Sequence, residues 1–428
     1  MRILIYGINY HPELTGTGKN TGMMAEWLAA HGHDVRMVAA PPFYPDWQVG
    51  AGYRSWTYRR EIRNGVSIWR CPAWIPTRPS GITRLLHLTS FAASSAGVVL
   101  AHACWRPQVI MSVAPPLLAA PSALLAARLC GAATWLNVKD FEVEAAFDLG
   151  LLSGATARNL ALTAERWILR RYDRVSSISH AMVARLRAKG VARDRALYFP
   201  NWVELDSICP DAAARASMRE QLQVAPGEVL ALYSGNLGAK QGLEIIPRAA
   251  ARLHNQPQIV FLVCGEGAGK PALLEAARDL PNLRIAPLQP PERLNALLNA
   301  ADIHLLPQRQ AAADLVLPGK LLYMLACGGA ILATADPATD VGRLVQAGGG
   351  TLVPAGDAES LAQAVARLAH SPEQRASAAR AARAYAISHL GKDAVLVGLQ
   401  SALETLCAAA PARTRAAASS GDAAQPFE

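Results

Sequence analysis

The sequence predicts an α/β protein made of two Rossmann-like domains, each built on a parallel sheet. Three observations carry the prediction. Short apolar runs alternate with longer helical patterns along most of the chain, which is the order of strand–helix units in parallel sheets. The 428 residues exceed one ordinary core, at roughly 100–200 residues per domain. A second series of such units begins after Phe199-Pro-Asn-Trp202. Residues 1–200 are therefore read as the first domain, 201–212 as a hinge, 213–409 as the second domain, and 410–428 as a disordered tail. The last helix of the second domain is free to cross back.

In order, the strands expected in the first half are Arg2–Tyr6, Asp34–Ala39, Val66–Arg70, Val109–Val113, Ala133–Val138 and Arg174–Ile178. Each is a short β-rich run of the kind that alternates with helices in parallel sheets. Gly22–His31 has a helical pattern, and Gly32 supplies a left-handed stop. In the second half, strands are expected at Val229–Ser234, Gln258–Cys264, Leu283–Ala286, Ile303–Leu306 and Ala330–Ala333. Helices are expected over Leu243–Leu253, from Lys320 to Gly328, and over Pro372–Ala408. From Ala410 the chain is rich in Ala, Ser and Arg without apolar period, a composition that favours disorder.

Charge is uneven. The chain carries 42 Lys and Arg against 33 Asp and Glu, a formal +9, yet residues 1–200 carry +11 and the remainder −2. All nine tryptophans lie in the first 202 residues, and seven arginines stand between Arg54 and Arg84 beside Trp56, Trp69 and Trp74. Arginine mixed with tryptophan suits an interface that is half anionic and half apolar, as a membrane headgroup layer is. A solvated face over core tryptophans accounts for the same residues without a membrane. Seven scattered cysteines with no C-x-x-C pair argue against a disulfide framework and a zinc site. Met1–Tyr6 is too short and strand-like for a secretory signal, so a cytoplasmic location is expected. Leu86–Cys104 and Val113–Cys130 are interrupted by serines, His102, prolines and Arg128, and read as buried helices rather than membrane spans. No nucleic-acid partner is expected.

Several stretches have the makings of ligand loops. His11–Gly22, HPELTGTGKNTG, packs glycines, a lysine and hydroxyls between a strand and a helix, as phosphate-binding chains do. It fits neither the P-loop, because Glu13 and Asn20 stand where a glycine and a hydroxyl are required, nor the dinucleotide template, which it exceeds by one residue. A plain glycine-rich turn fits it as well. In the second half, Tyr233-Ser-Gly-Asn-Leu-Gly-Ala-Lys-Gln-Gly242 leaves a strand and enters a helix, where Lys240 would reach a diphosphate. Cys264-Gly-Glu-Gly-Ala-Gly-Lys270 ends another strand in glycines that would admit a nucleoside close to backbone. Ala313-Asp-Leu-Val-Leu-Pro-Gly-Lys320 opens a helix with Lys320 near its positive end, one loop after Asp314. Asn137-Val-Lys-Asp140 puts a carboxylate just past a strand, either to orient a hydroxyl or as a solvated acidic loop. No D-x-D pair and no metal-ligand spacing occurs, so diphosphate charge would be met by lysines and helix dipoles.

Taken together, Tyr10-His-Pro-Glu with Gly16-Thr-Gly18, Gly32-His-Asp-Val35, Ser176–Ser179, Pro200-Asn201, Lys240-Gln-Gly242, Gly265-Glu-Gly267, Asp302–Pro307 and Ala326-Cys-Gly328 resemble the family-4 retaining glycosyltransferases of the GT-B fold over about residues 1–400. Within that family, YGINYHPELTGTGK, APPFYPDWQVG, KQGLE and AADLVLPGK are similar to the fucosyl-transferring, colanic-acid-building branch. The resemblance implies two Rossmann-like domains around a cleft and a metal-independent transferase without cofactor. It implies a nucleotide-sugar donor, GDP-fucose, on the second domain and a lipid-diphosphate-linked saccharide acceptor on the first, at an anionic membrane surface where the protein sits peripherally. Lys240 and Lys320 are implied on the diphosphate, Asp314 and Leu315 at the donor sugar, and Gly265, Glu266 and Gly267 at the nucleoside. Gly16, Thr17 and Gly18 form the loop that closes over the phosphates, and Asp140 stands at the acceptor. Asn236 replaces the Arg usual in the family, and Tyr323 replaces a ribose-binding Glu, so both are read with Gln241 as altered donor contacts. A noncatalytic nucleotide-sugar-binding partner and a GT-B nucleotide-sugar epimerase are the alternatives. A dinucleotide oxidoreductase fits worst, since neither glycine loop matches its template.

Overall fold

The structure is a computed structural model and describes residues 1–13, 16–148, 154–238, 241–309 and 318–419. The chain divides into two compact units, Met1–Pro200 with Leu396–Glu428, and Asn201–Val395. Both are parallel-sheet α/β units, the fold class that the alternating pattern predicts.

The first unit runs β1 (Arg2–Tyr6), α1 (Gly16–Ala30), β2 (Asp34–Ala39), β3 (Arg59–Arg63), β4 (Val66–Arg70), α2 (Gly81–Ala101), β5 (Val109–Ala114), α3 (Ala120–Cys130), β6 (Ala133–Val138), α4 (Glu142–Asp148), α5 (Ala155–Leu169), β7 (Arg174–Ser177), α6 (His180–Ala188) and β8 (Ala196–Tyr198). Its eight strands lie in the order β3-β4-β2-β1-β5-β6-β7-β8. Every residue of β5 and β6 is buried, because helices cover both faces of a parallel sheet. Strand β3 pairs antiparallel with β4, Arg60 opposite Trp69.

The second unit runs α7 (Ala212–Gln221), β9 (Val229–Ser234), α8 (Ile245–Arg252), β10 (Ile259–Cys264), α9 (Lys270–Ala277), β11 (Leu283–Ala286), α10 (Leu294–Ala300), β12 (Ile303–Leu306), α11 (Gly319–Ala326), β13 (Ile331–Thr334), α12 (Asp340–Ala347), β14 (Thr351–Val353), α13 (Ala358–His370) and α14 (Pro372–His389). Its all-parallel sheet has the order β11-β10-β9-β12-β13-β14. The direction of winding reverses between β9 and β12, and the carboxyl edge at such a reversal is where ligands enter doubly wound sheets. Helix α15 (Lys392–Ser419) starts in this unit and passes into the first, where Gln400 hydrogen-bonds His33.

Several expectations need correction. Gly16–Gly22 is not a loop but the first two turns of α1. Strands β3, β8 and β14 were not foreseen, the first because RREIR is a charged edge strand and the others because they are three residues long. The Pro372–Ala408 pattern is two helices, broken at Leu390-Gly391, where Val203 bridges to Gly391. The tail expected to be disordered from 410 continues α15 through Ser419, in keeping with the helix propensity of Ala and Arg; residues 420–428 lie outside the described residues. Helix α2, expected to be buried, turns much of its apolar surface outward. Residues in the expected hinge are well packed: Val203 and Ile208 belong to the core of the second unit.

Candidate active site

In the second unit, glycines let two strand-end turns lie against one another at the carboxyl edge. The turn after β9 leaves through Gly235 at φ +137°, and its N–H donates to the Cys264 carbonyl at 2.9 Å. Leu237 N–H donates to the Glu266 carbonyl at 2.8 Å, and Gly269 N–H returns to the Leu237 carbonyl at 2.7 Å. A Cβ on Gly265 would stand 2.0 Å from the Gly235 oxygen, and one on Gly267 would stand 2.7 Å from Asn236 Oδ1. No side chain fits at either position, which explains the glycine run that follows β10.

Lys320 enters this junction from the first turn of α11. Its Nζ donates to the Tyr233 hydroxyl at 2.7 Å and lies 4.0 Å from the ring centroid. The Tyr233 hydroxyl donates in turn to the Asn236 carbonyl at 2.6 Å, so its lone pairs face the ammonium. A Cβ on Gly235 would meet Lys320 Nζ at 2.9 Å. Burial pulls the Lys320 pKa down to about 8 and pushes that of Tyr233 up. The result is a cation with little water around it, held at the reversal edge in the first turn of a helix, an arrangement that favours an incoming polyanion. Tyr323 sits one turn further along α11, half-buried against the core.

The other strand ends adjoin this junction. Gly242, at φ +64°, comes close to Arg309, whose guanidinium pairs with Glu244 at 2.9 Å. A cavity of about 160 Å³ opens there, lined by Gly242, Arg248, Gln308, Arg309 and Gly356 among others. The Gln308 N–H donates to Thr334 Oγ1 at 2.8 Å, which ties the ends of β12 and β13 together. Gln241 Oε1 is buried without a hydrogen-bond partner. Glu266 is exposed and paired with Lys270 at 2.6 Å. Asp302 is occupied structurally, bridging Arg215 at 2.6 Å and Arg219 at 2.8 Å.

In the first unit, the chain leaving β1 folds back over α1. Glu13 is 3% exposed; its carboxylate accepts from Phe43 N–H and Tyr44 N–H, each at 3.2 Å, and from Asn9 at 3.0 Å. Burial pushes its pKa up, against those hydrogen bonds. A Cβ on Gly18 would lie 2.2 Å from Glu13 Oε2, and one on Gly22 would lie 2.1 Å from the His11 ring. These glycines let the β1 exit pack flat on the helix, which is why a sequence that reads as a loop is helical. Arg70, 1% exposed, pins the same segment by donating to the His11 and Ala40 carbonyls and to Glu61.

At the end of β6, the backbone N–H of Lys139 donates to the Ala114 carbonyl at 3.0 Å, and burial lowers its side-chain pKa to about 7. Asp140 follows directly. Glu142 accepts from Leu117 N–H at 2.5 Å, while its Oε2 is buried without a hydrogen-bond partner. Burial drives the Glu142 carboxyl up to about 7. Two groups that titrate near neutrality thus flank Asp140.

Of the residues singled out from sequence, Lys320, Asn236, Gln241, Gly265, Glu266, Gly267 and Tyr323 all belong to the second unit, and the Asn236 and Gly265–Gly267 turns meet Lys320 at one edge. Gly16, Thr17, Gly18 and Asp140 belong to the first unit. Lys240, Asp314 and Leu315 lie outside the described residues. Sequence reasoning missed Tyr233, Glu13 and Glu142. The last stood in the FEVE segment beside Asp140 but gave no sign of its burial.

Comparison with known proteins agrees with this division. Residues 15–202 match the Glycosyl transferase 4-like domain, and residues 228–371 match Glycosyl transferases group 1. The colanic acid biosynthesis glycosyl transferase WcaI of Escherichia coli (strain K12) is 46% identical over 352 residues, covering 81% of this chain and 86% of WcaI. Sucrose-phosphate synthase of Thermosynechococcus elongatus superposes with a TM-score of 0.72 at 19% identity, over 95% of this chain and 99% of its own. Anabaena HepE, solved with UDP-glucose, gives 0.66 at 15% identity, over 95% and 100%. Such structural neighbours are glycosyltransferases of the GT-B fold.

Proposed function

The chain belongs to the glycosyltransferases that join a 4-like domain to a group 1 domain, and from that premise we propose that it moves a sugar from a nucleotide-sugar donor to a lipid-diphosphate-linked saccharide in colanic-acid-like exopolysaccharide synthesis. The observation that carries the reading is Lys320, a desolvated cation fixed by Tyr233 at the reversal edge of the group 1 half. When the donor's glycosidic bond breaks, negative charge gathers on the departing diphosphate. A positioned cation and helix N–H groups stabilise that charge more than they stabilise the intact donor. That difference is the kind that accelerates a reaction.

In this reading Lys240 joins Lys320 on the diphosphate, and Asp314 with the Leu315 backbone holds the donor sugar. The Gly265–Gly267 turn takes the nucleoside, and Asn236, Gln241 and Tyr323 tune donor contacts. Asp140 orients the acceptor hydroxyl. Attack comes on the face from which the diphosphate leaves, so configuration is retained, and a diphosphate oxygen takes the hydroxyl proton. Two lysines and helix dipoles meet the charge without a metal. The donor assigned is GDP-fucose, supported by the sequence combination shared with the colanic acid branch; HepE, solved with UDP-glucose, supports a nucleotide sugar in general. The protein works on the cytoplasmic side, peripheral to the inner membrane face, which the basic first unit supports.

The test supplies purified protein with a glycosyl-diphosphate-lipid and, in turn, GDP-fucose and other nucleotide sugars, with and without chelator. Fast, chelator-resistant transfer from GDP-fucose is expected. Preference for another donor would overturn the fucosyl assignment, and loss of activity with chelator would overturn metal independence.

A further inference from the structure

Helix α2 seats on its unit through His87, Phe91, Ser95 and Val99, four residues apart and so on one face. With only water over it, the opposite face of such a helix should be polar. Instead Ile82, Leu85 and Leu86 are 66, 41 and 53% exposed. Only 28% of the apolar window in Gly81–Trp105 is buried, and by length and composition that segment is apolar enough to cross a membrane. It does not cross one here, because Phe91 and Val99 are fully buried in the core of the first unit. A helix anchored along one side and apolar on the other is built to lie at an interface.

Aromatic side chains flank it. Trp74 N–H donates to Ser90 Oγ at 2.9 Å, and His87 Nδ1 donates to the Trp74 carbonyl at 2.7 Å. Tyr58 donates to the Ser94 carbonyl at 2.9 Å, and the turn ahead of β3, which carries Trp56, is tied to the segment after β4 by the bond from Ala73 N–H to the Ser55 carbonyl. Trp56 and Trp74 are 71 and 47% exposed. Charge supplies the remaining constraint. No Asp or Glu occurs between Glu61 and Asp140, whereas seven Lys and Arg do, with Arg78 and Arg84 exposed at the start of α2.

We propose that this face docks the first unit on an anionic phospholipid bilayer. Ile82, Leu85 and Leu86 enter the acyl boundary, Trp56 and Trp74 sit at headgroup level, and Arg78 and Arg84 meet lipid phosphates. A second copy of the chain is a poor occupant, since a two-fold contact would set this acid-free basic face against itself. Arg84 also acts electrostatically on Glu142 at the end of β6, so the docked face borders the edge that carries Asp140. The proposal rests on the reading of a lipid-linked acceptor and gives it a route of arrival, along the bilayer to that edge.

The test sediments the full chain with vesicles of phosphatidylcholine alone and of phosphatidylcholine mixed with phosphatidylglycerol. Binding to the mixed vesicles only, weakened by salt and accompanied by a blue shift of tryptophan emission, is expected. Ile82→Ser with Leu86→Ser, and separately Arg78→Glu, should each lower the bound fraction at least roughly tenfold without changing the melting temperature. Unchanged binding by the variants overturns the proposal, as does absence of binding by the parent chain. A dimer in lipid-free light scattering that the serine variant dissolves would assign the face to a second copy and overturns it too. Transfer onto detergent-dispersed acceptor is measured in parallel and should be the same in parent and variants. Its failure in the parent chain would remove the transferase reading while leaving the vesicle result to stand or fall by itself.

Discussion

Binding of a nucleoside diphosphate should make the protein take up a proton near pH 8, and Lys320→Ala should abolish the effect. In the empty site Lys320 has a pKa of about 8 because burial disfavours the ammonium. At pH 8 it is therefore about half charged. A diphosphate within contact distance favours the charged form by more than burial opposes it, so the bound site is fully protonated. The uptake is then about 0.5 proton per site at pH 8 and about 0.1 at pH 7. The sign follows from the same pKa. Because the folded value lies below that of an ordinary lysine, the empty protein bears a penalty below pH 8 that is relieved as pH rises, whereas ligand affinity is full below pH 8 and declines above it. Titration calorimetry in two buffers of different ionisation enthalpy measures the uptake. In Lys320→Ala the buffer dependence should vanish, and affinity should fall by about 1.5–3 kcal/mol, the worth of a hydrogen bond to a charged group. Buffer-independent heats for the parent chain at pH 8, or an unaltered uptake in the variant, would refute the placement of Lys320 on the diphosphate.

Other substitutions probe the surroundings. Tyr233→Phe removes the oxygen that Lys320 donates to at 2.7 Å; kcat/KM should drop about tenfold, and the alkaline limb of the pH profile should move to lower pH as the ammonium loses an acceptor. Gly235→Ala places a methyl 2.9 Å from Lys320 Nζ at φ +137°, so turnover should fall while donor-independent stability drops by about 1–3 kcal/mol, read by urea denaturation. Gly18→Ala sets a methyl 2.2 Å from Glu13 Oε2 and should destabilise by about 1–3 kcal/mol; a smaller loss in a Glu13→Ala background would assign the strain to that contact. Glu142 has its carboxyl raised to about 7, so the folded state holds a proton that the unfolded state releases near the ordinary value. Stability of the parent chain should therefore decline as pH rises to about 7, and Glu142→Gln should flatten that decline in thermal melts.

The sequence made the buried strands legible because a strand covered on both faces is apolar nearly throughout, as Val229–Tyr233 and Ile259–Cys264 are. It did not reveal β3, whose charged edge sequence takes its place only through pairing with β4. The opening HPELTGTGKNTG was read by local glycine content, but its conformation is decided by side chains folding back from residues 11 and 13, a tertiary contact invisible to a local pattern. The same limit hid Tyr233, which looks like any strand aromatic until Lys320 from an element some ninety residues later reaches it. Lys320 itself was legible, since proline and glycine ahead of a lysine mark a helix start. The outward face of α2 was misread because apolar content alone does not say what will cover it.

The central claim is tested most directly by following both halves of one reaction: nucleoside diphosphate released and labelled fucose gained by the lipid-linked saccharide, in the same tube, from GDP-fucose and purified protein. The account predicts equal amounts of the two, appearing together and both dependent on Lys320. Nucleotide released with no label on the lipid, or no turnover with any nucleotide sugar, would contradict it.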